Sequence, residues 1–239
     1  MNRKALSLLS GGLDSTLSTR LIMDQGIDVV ALHYTSPFAS RKERERGLQA
    51  ERTAKELGVP LVFLEKGEDY LEVIRNPRFG YGKNMNPCID CRIFMLRLAK
   101  TVMEEWGAGF VVTGEVLGQR PMSQMRDTIM LIERESGLSD LLVRPLSAHS
   151  FHPSLPEREG VVDRNRLLGI TGRSRRDQND LAKRYGLKEF GHPAGGCLLT
   201  DPIFAAKVRD LFAHGRGAMD DVKLLTVGRH FRLDGATKA

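Results

Sequence analysis

The sequence predicts an α/β fold built on a doubly wound parallel sheet. Three observations carry this expectation. Short, almost continuously apolar runs recur along the 239 residues, charged stretches with helical spacing separate them, and the first such junction is the glycine turn Ser10-Gly11-Gly12-Leu13-Asp14-Ser15. A strand that is apolar at nearly every position suits a parallel sheet covered on both faces. Alternation of strands with helices is how such a sheet is connected.

Taken in order, Ala5 to Leu9 reads as the first strand, followed by a helix from about Thr16 to Gln25. Asp28 to Tyr34 is the second strand, and Lys42 to Leu57 is a long charged helix that Gly58 stops. Leu61 to Leu64 reads as the third strand and Arg92 to Trp106 as a helix, with the single Trp106 at its end read as core. Phe110 to Val112 and Leu141 to Val143 complete the strands, and a last helix runs from about Ser174 to Tyr185. Two segments rich in Gly, Asn or Pro, Arg75 to Pro87 and His149 to Asp163, read as mobile loops near the substrate. His149 and His152 have the spacing of helical metal ligands, but Pro153 and the lack of a third ligand favour a loop role. In a doubly wound sheet the ligand lies beyond the carboxyl ends of the strands, which is where Ser10 to Ser15 stand.

That turn has the composition of an anion site. Two glycines let the backbone approach a ligand closely, and the helix beginning near Asp14 or Ser15 aims its free N–H groups and positive dipole end at the same spot. Ser10 and Ser15 add hydroxyl donors. Asp14 is a carboxylate that would repel phosphate unless it holds Mg²⁺ or caps the helix. The Lys-Ser/Thr ending of a Walker A loop is missing, which argues against kinase or GTPase chemistry. The string resembles the PP-loop of the ATP pyrophosphatases, a family with the adenine nucleotide alpha hydrolase-like fold that splits ATP between its α and β phosphates. The resemblance implies ATP as a ligand.

Composition narrows the classes further. The 36 Lys and Arg against 30 Asp and Glu give a net charge of +6, which suits a polyanionic partner such as RNA. The N-terminus leads directly into a strand with no apolar signal core, and no run is long enough to span a membrane, so a cytoplasmic location without a membrane partner is expected. Homodimerisation stays open.

Three cysteines, Cys88, Cys91 and Cys197, are the remaining chemical signal. Asn86-Pro87-Cys88-Ile89-Asp90-Cys91 puts a CxxC at a helix start, where the dipole favours thiolate. Cys197 ends the stretch Gly191-His192-Pro193-Ala194-Gly195-Gly196, which can fold back over the site. Three readings compete: a [4Fe-4S] cluster held by all three thiols with one iron left open for sulfide; a Cys197 persulfide resolved by Cys88 or Cys91; or buried free cysteine with an incidental CxxC. A structural zinc site normally takes four ligands, and there is no second CxxC.

With these residues in view, the chain resembles the catalytic domain of tRNA 4-thiouridine synthases. The likeness lies in Ala31 to Phe38, Val112 to Gln119, Ser123-Gln124, Arg144-Pro145-Leu146 and the Ser174 to Leu187 helix. Asn86-Pro87-Cys88 with Cys91 instead resembles the cysteine segment of the tRNA 2-thiouridylases. Together these cover about residues 1–200, read as the catalytic domain, with 201–239 as a C-terminal extension resembling the opening of an RNA-binding module. The family's N-terminal RNA-binding region and the C-terminal sulfurtransferase domain of some members are not found in these 239 residues, and the loop from Gln119 to Ser123 is one residue longer than expected. The resemblance implies that ATP binds with its pyrophosphate on Ser10, Gly11, Gly12, Leu13, Asp14 and Ser15 and its adenine near Leu32, His33 and Tyr34. It further implies that a base carbonyl, that of uracil foremost, is adenylated near Gly114, Gln119, Ser123 and Gln124, and that sulfur then displaces AMP. Cys88, Cys197 and Asp14 are the implied catalytic residues, with tRNA, a sulfide or persulfide-carrying sulfur donor, and a separate or C-terminal RNA-binding module as partners. Arg144 is placed to reach the α-phosphate, the RNA backbone or a sheet-end salt bridge, and Arg173, Arg175 and Arg176 to track RNA phosphates or form a solvated helix start. The competing classes are a PP-loop ligase acting on a small molecule, which needs no cysteine set, and a non-catalytic nucleotide sensor.

Overall fold

The computed structural model describes residues 2–38, 41–187, 190, 197–215, 217–235 and 237, with the side chains of 41–44 and 46 left aside. The first half alternates β1 (Lys4–Leu8), α1 (Leu13–Met23), β2 (Asp28–Thr35), α2 (Arg41–Leu57), β3 (Leu61–Glu65), α3 (Glu68–Arg75) and α4 (Cys88–Glu105). The second half adds β4 (Phe110–Val112), α5 (Arg126–Ser136), β5 (Leu142–Val143), the short α6 (Leu155–Arg158), α7 (Arg176–Arg184), α8 (Pro202–Ala213) and α9 (Met219–Leu224). All strand pairs are parallel, in the order β3-β2-β1-β4-β5. The chain therefore winds outward from β1 through β2 to β3, then crosses to β4 on the other side. The topological switch lies between β1 and β4, and the crevice for a ligand opens at their carboxyl ends.

Both faces of the sheet are covered, which explains the apolar runs. Leu6, Leu8, Val30, Leu32 and Val111 face Leu96, Ala99 and Met103 of α4 and Ile132 of α5. Their sequence neighbours Ala5, Val29, Phe110 and Val112 face the opposite way, toward Ile22 of α1 and the loop residues Val162 and Leu167. A second core is formed where Tyr70, Leu71 and Ile74 of α3 meet Phe204, Val208 and Leu211 of α8 and Val222 of α9. Residues beyond Thr200 thus share a core with α3.

Expectation and structure differ at several points. Helices α3, α5, α8 and α9 were not anticipated from the sequence pattern. Trp106 is not core: it stands past the end of α4 at 40% exposure, with the Lys4 ammonium over its ring, at the turn through Gly107 that leads into β4. The segment His149 to Asp163 is tied down: Arg164 donates to the carbonyls of Ala148 and Phe151, and Ser154 and Glu157 form a capping box on α6. His149 Nε2 lies 3.1 Å from the Arg164 carbonyl, a loop contact. The glycine-rich approach at 191–196 lies outside the described residues.

Candidate active site

The loop after β1 is shaped by what glycine permits. Gly11 has φ +73°, and a Cβ there would come within 2.7 Å of the Ala50 nitrogen in α2, so no other residue fits without moving the backbone. Gly12 begins α1 in extended conformation with no side-chain cap, leaving the first-turn N–H groups facing the crevice. Ser10 and Ser15 close the loop on itself: their hydroxyls are 3.0 Å apart, and the Ser15 hydroxyl donates to the Gly12 carbonyl at 2.9 Å. Gly114, just past β4, supplies the floor. A Cβ at Gly114 would lie 2.7 Å from the Asp14 carbonyl carbon and the Ser15 nitrogen, so its contribution is close backbone approach.

Asp14 stands at the centre of this cradle. Its Oδ2 accepts from Gln119 Nε2 at 2.8 Å and lies 3.5 Å from Arg175 Nη2, whereas its Oδ1 is buried with no hydrogen-bond partner. Gln119 Oε1 accepts in turn from Gln178 Nε2 at 3.2 Å. The strand-like bridge between Leu117 and Thr171, with Gly172 N–H donating to the Leu117 carbonyl, brings these distant segments together. A buried carboxylate oxygen without a donor is the feature a cation relieves. The residues present therefore fit a divalent ion beside a phosphate-binding helix end.

Beside this opening lies a buried ionic network in which Glu115 is fully engaged while Arg144 Nη2 lacks a partner among the described residues. Glu115, 4% exposed, accepts from Arg92 at 2.9 Å, from Arg144 at 3.1 Å and from Thr113 at 3.2 Å, and Arg144 also reaches Glu133 at 2.8 Å. Burial pushes the Glu115 carboxyl up, but Arg92 and Arg144 together outweigh it and hold the group below its ordinary range. Arg144 thus forms a sheet-end salt bridge. Glu115, which the sequence presents only as part of a motif, is the structural anchor of the β4 edge.

The strand residues Leu32, His33 and Tyr34 have occupied side chains. Leu32 is 1% exposed within the core, His33 Nδ1 lies 2.9 Å from the Leu9 carbonyl, and the Tyr34 hydroxyl donates to the Met95 carbonyl. Burial drives the Tyr34 hydroxyl far above its usual range, so it stays protonated.

The cysteines sit on the α4 side. Cys88 and Cys91 lie in the first turn of α4 at a spacing that shares a face. Cys91 Sγ accepts from the Tyr70 hydroxyl at 3.2 Å and has Lys66 Nζ 4.0 Å away. Just past Cys197, Thr200 and Leu199 carbonyls accept from Asn84 and the Met85 N–H, which draws this segment toward the loop that precedes Cys88. Among the described residues no group of three or more His, Cys, Asp or Glu is gathered to hold a metal. Met122, in the loop after Gln119, packs directly on Gly82, so that loop and the segment before Cys88 border one another.

A family profile described as "Thiamine biosynthesis protein (ThiI)" matches residues 1–151, well over half of the chain. The chain belongs to the ThiI family. Among curated ThiI-like relatives, a probable tRNA sulfurtransferase of Methanothermobacter thermautotrophicus is 34% identical over 117 residues, covering 48% of this chain and 30% of the relative. Another from Thermococcus kodakarensis is 29% identical over 169 residues, 70% of this chain and 41% of the relative. A tRNA-specific 2-thiouridylase MnmA of Clostridium acetobutylicum is 33% identical over 132 residues, 48% of this chain and 36% of that protein. The chain thus spans less than half the length of these relatives. The relatives thus carry two names, tRNA sulfurtransferase and tRNA-specific 2-thiouridylase. No helix among the described residues is long and apolar enough to cross a membrane.

Asp14, Gln119 and the glycines of this cradle stand out in the sequence, whereas Gln178 does not. It is fully buried on α7 in a run, RDQNDLAKR, with no apolar stripe to mark the inward face. Arg175, one of three arginines expected to track RNA phosphates or to form a solvated helix start, lies 3.5 Å from Asp14.

Proposed function

We propose that this chain is the ATP-dependent activating unit of a tRNA sulfurtransferase, adenylating a base carbonyl and exchanging its oxygen for sulfur. The observation that carries this is the bare, buried Oδ1 of Asp14 at the uncapped start of α1. The naming of the family's curated relatives supports the reaction class. In this reading the first-turn N–H groups of α1 and the Ser10 and Ser15 hydroxyls receive the pyrophosphate, and Asp14 holds Mg²⁺, which would supply charge neutralisation. The base oxygen attacks the α-phosphorus, the ring N–H proton is lost, and pyrophosphate departs. Gln119 and Gln124, whose Oε1 is a buried acceptor with no partner, border the place where the base arrives. The net charge of +6 supports tRNA as the polyanionic substrate.

For the second step two readings of Cys88, Cys91 and Cys197 stand: a [4Fe-4S] cluster that would offer sulfide at its open iron, and a persulfide relay. In the relay, the terminal sulfur of a Cys197 persulfide attacks the activated carbon and AMP leaves. A thiolate of Cys88 or Cys91 then attacks the Cys197 sulfur, which frees the thiocarbonyl base and leaves a cysteine disulfide. A thiol reductant and a sulfane sulfur donor restore the starting state. The spectrum of anaerobically purified protein tests the choice: activity without iron-bound absorbance near ~400 nm supports the persulfide, and about four irons per chain lost on Cys→Ser substitution would support the cluster.

The activating step is tested by pyrophosphate release with and without tRNA. Wild type should be stimulated by tRNA, and Asp14→Ala should lose about a hundredfold or more of the rate. Release that ignores tRNA at every salt concentration would shift the reading to a small-molecule ligase.

A further inference from the structure

We propose that Gln178 is a positioning residue that fixes which oxygen of Asp14 faces the cation, acting through Gln119. The inference rests on the reading that Asp14 holds a divalent ion. Gln119 can present either end of its amide to Asp14, and only the NH₂ end is attractive. The acceptor-only carboxylate takes the NH₂ end, Nε2 donating to Asp14 Oδ2 at 2.8 Å, and Gln178 holds Gln119 in that orientation by donating its own Nε2 to Gln119 Oε1 at 3.2 Å. With Oδ2 so engaged, Oδ1 is left without a partner in the crevice.

Folding alone does not account for Gln178. Its side chain is 0% exposed and its Oε1 has no hydrogen-bond partner, an arrangement that costs stability and that an apolar residue would avoid. The buried face of α7 holds only Gln178 and Ala182, four residues apart, and Ala182 packs on Leu13, Leu17 and Leu21 of α1. Helix α7 thus packs on the same helix whose first turn carries Asp14. Metal ligands held by a supporting hydrogen bond typically lose about tenfold or more in affinity when that support is removed.

The test is Mn²⁺ binding, followed by electron paramagnetic resonance in the presence of a non-hydrolysable α,β-methylene ATP, alongside thermal melting. Gln178→Met should bind Mn²⁺ about tenfold more weakly while its Tm stays level or rises, because the unpartnered amide is gone. Gln178→Leu, as a second apolar variant, should do the same. Gln119→Ala should weaken Mn²⁺ to a similar degree, and the Gln119→Ala/Gln178→Met double variant should be no weaker than Gln119→Ala alone, since both act through one contact. Wild-type Mn²⁺ affinity in both Gln178 variants, or additive losses in the double variant, would overturn the proposal. So would a fall in Tm that alone accounts for the lost binding. Asp14→Ala separates the two layers: normal Mn²⁺ binding there sinks the Asp14 reading itself, whereas loss there with normal binding in the Gln178 variants sinks only the relay.

Discussion

Two carboxylates sit side by side beyond the carboxyl ends of β1 and β4, and they are treated in opposite ways. Glu115 is saturated, with Arg92, Arg144 and Thr113 all donating to it. Asp14 is half-served, with Gln119 and Arg175 on one oxygen and nothing on the other. A buried charge that serves only the fold gathers every partner it can, because each missing one is a direct loss. A charge that serves a ligand must leave a direction open, and the protein bears the cost until the ligand arrives.

The contrast can be broken at Glu115 first. Glu115→Ala strands two arginines at the sheet edge and should cost about 3–5 kcal/mol of unfolding free energy, read by denaturant titration. An effect under about 1 kcal/mol would mean that the network is idle. Its pH signature has a fixed sign. Because the folded carboxyl titrates below its ordinary value of 4.5, the stabilisation is complete above that pH and is lost as pH falls through the depressed folded value. Glu115→Ala should therefore flatten the acid limb of the stability profile, and an unchanged limb would contradict the assignment.

A middle-sized effect is expected at Gly114, where the two clusters meet. Gly114→Ala drives a methyl group into the backbone of Asp14 and Ser15. It should cost about 1–3 kcal/mol and weaken ATP binding, measured by melting and calorimetric titration of one sample. Loss of stability without loss of ATP affinity would separate the glycine from the phosphate cradle.

The smallest effect on stability belongs to the residue with the largest effect on activity. Asp14→Asn should leave unfolding free energy within about 0.5 kcal/mol of wild type or raise it, since a poorly compensated charge is removed. A loss above about 2 kcal/mol would make Asp14 a structural residue and erase the distinction from Glu115.

Much of this was readable from the chain. The five strands follow from apolar runs because both sheet faces are covered, and the runs are too short for buried helices. The phosphate loop follows from two glycines and a serine between a strand and a helix. Helix α5 was legible in principle, since Ile129, Ile132, Glu133 and Ser136 carry its inward spacing, and α8 announces itself with Asp201 capping Phe204 N–H ahead of Pro202. Trp106 is exposed because it stands in the turn between α4 and β4, at the rim of the sheet, where aromatic character alone does not bring burial.

The sequence by itself determined the alternation of elements, the parallel sheet and the glycine turn that opens α1, because these depend on local hydrophobicity and on backbone freedom within a few residues. Only the tertiary structure decided that Arg144 joins Glu115 and Glu133, that Arg175 turns to Asp14, and that Gln178 reaches Gln119 across 59 positions. Those choices depend on which polar atoms are brought together when water is removed from the sheet edge. Side-chain type alone does not report that: the same arginine or glutamine serves equally on a solvated surface, and only its neighbours in space give it work.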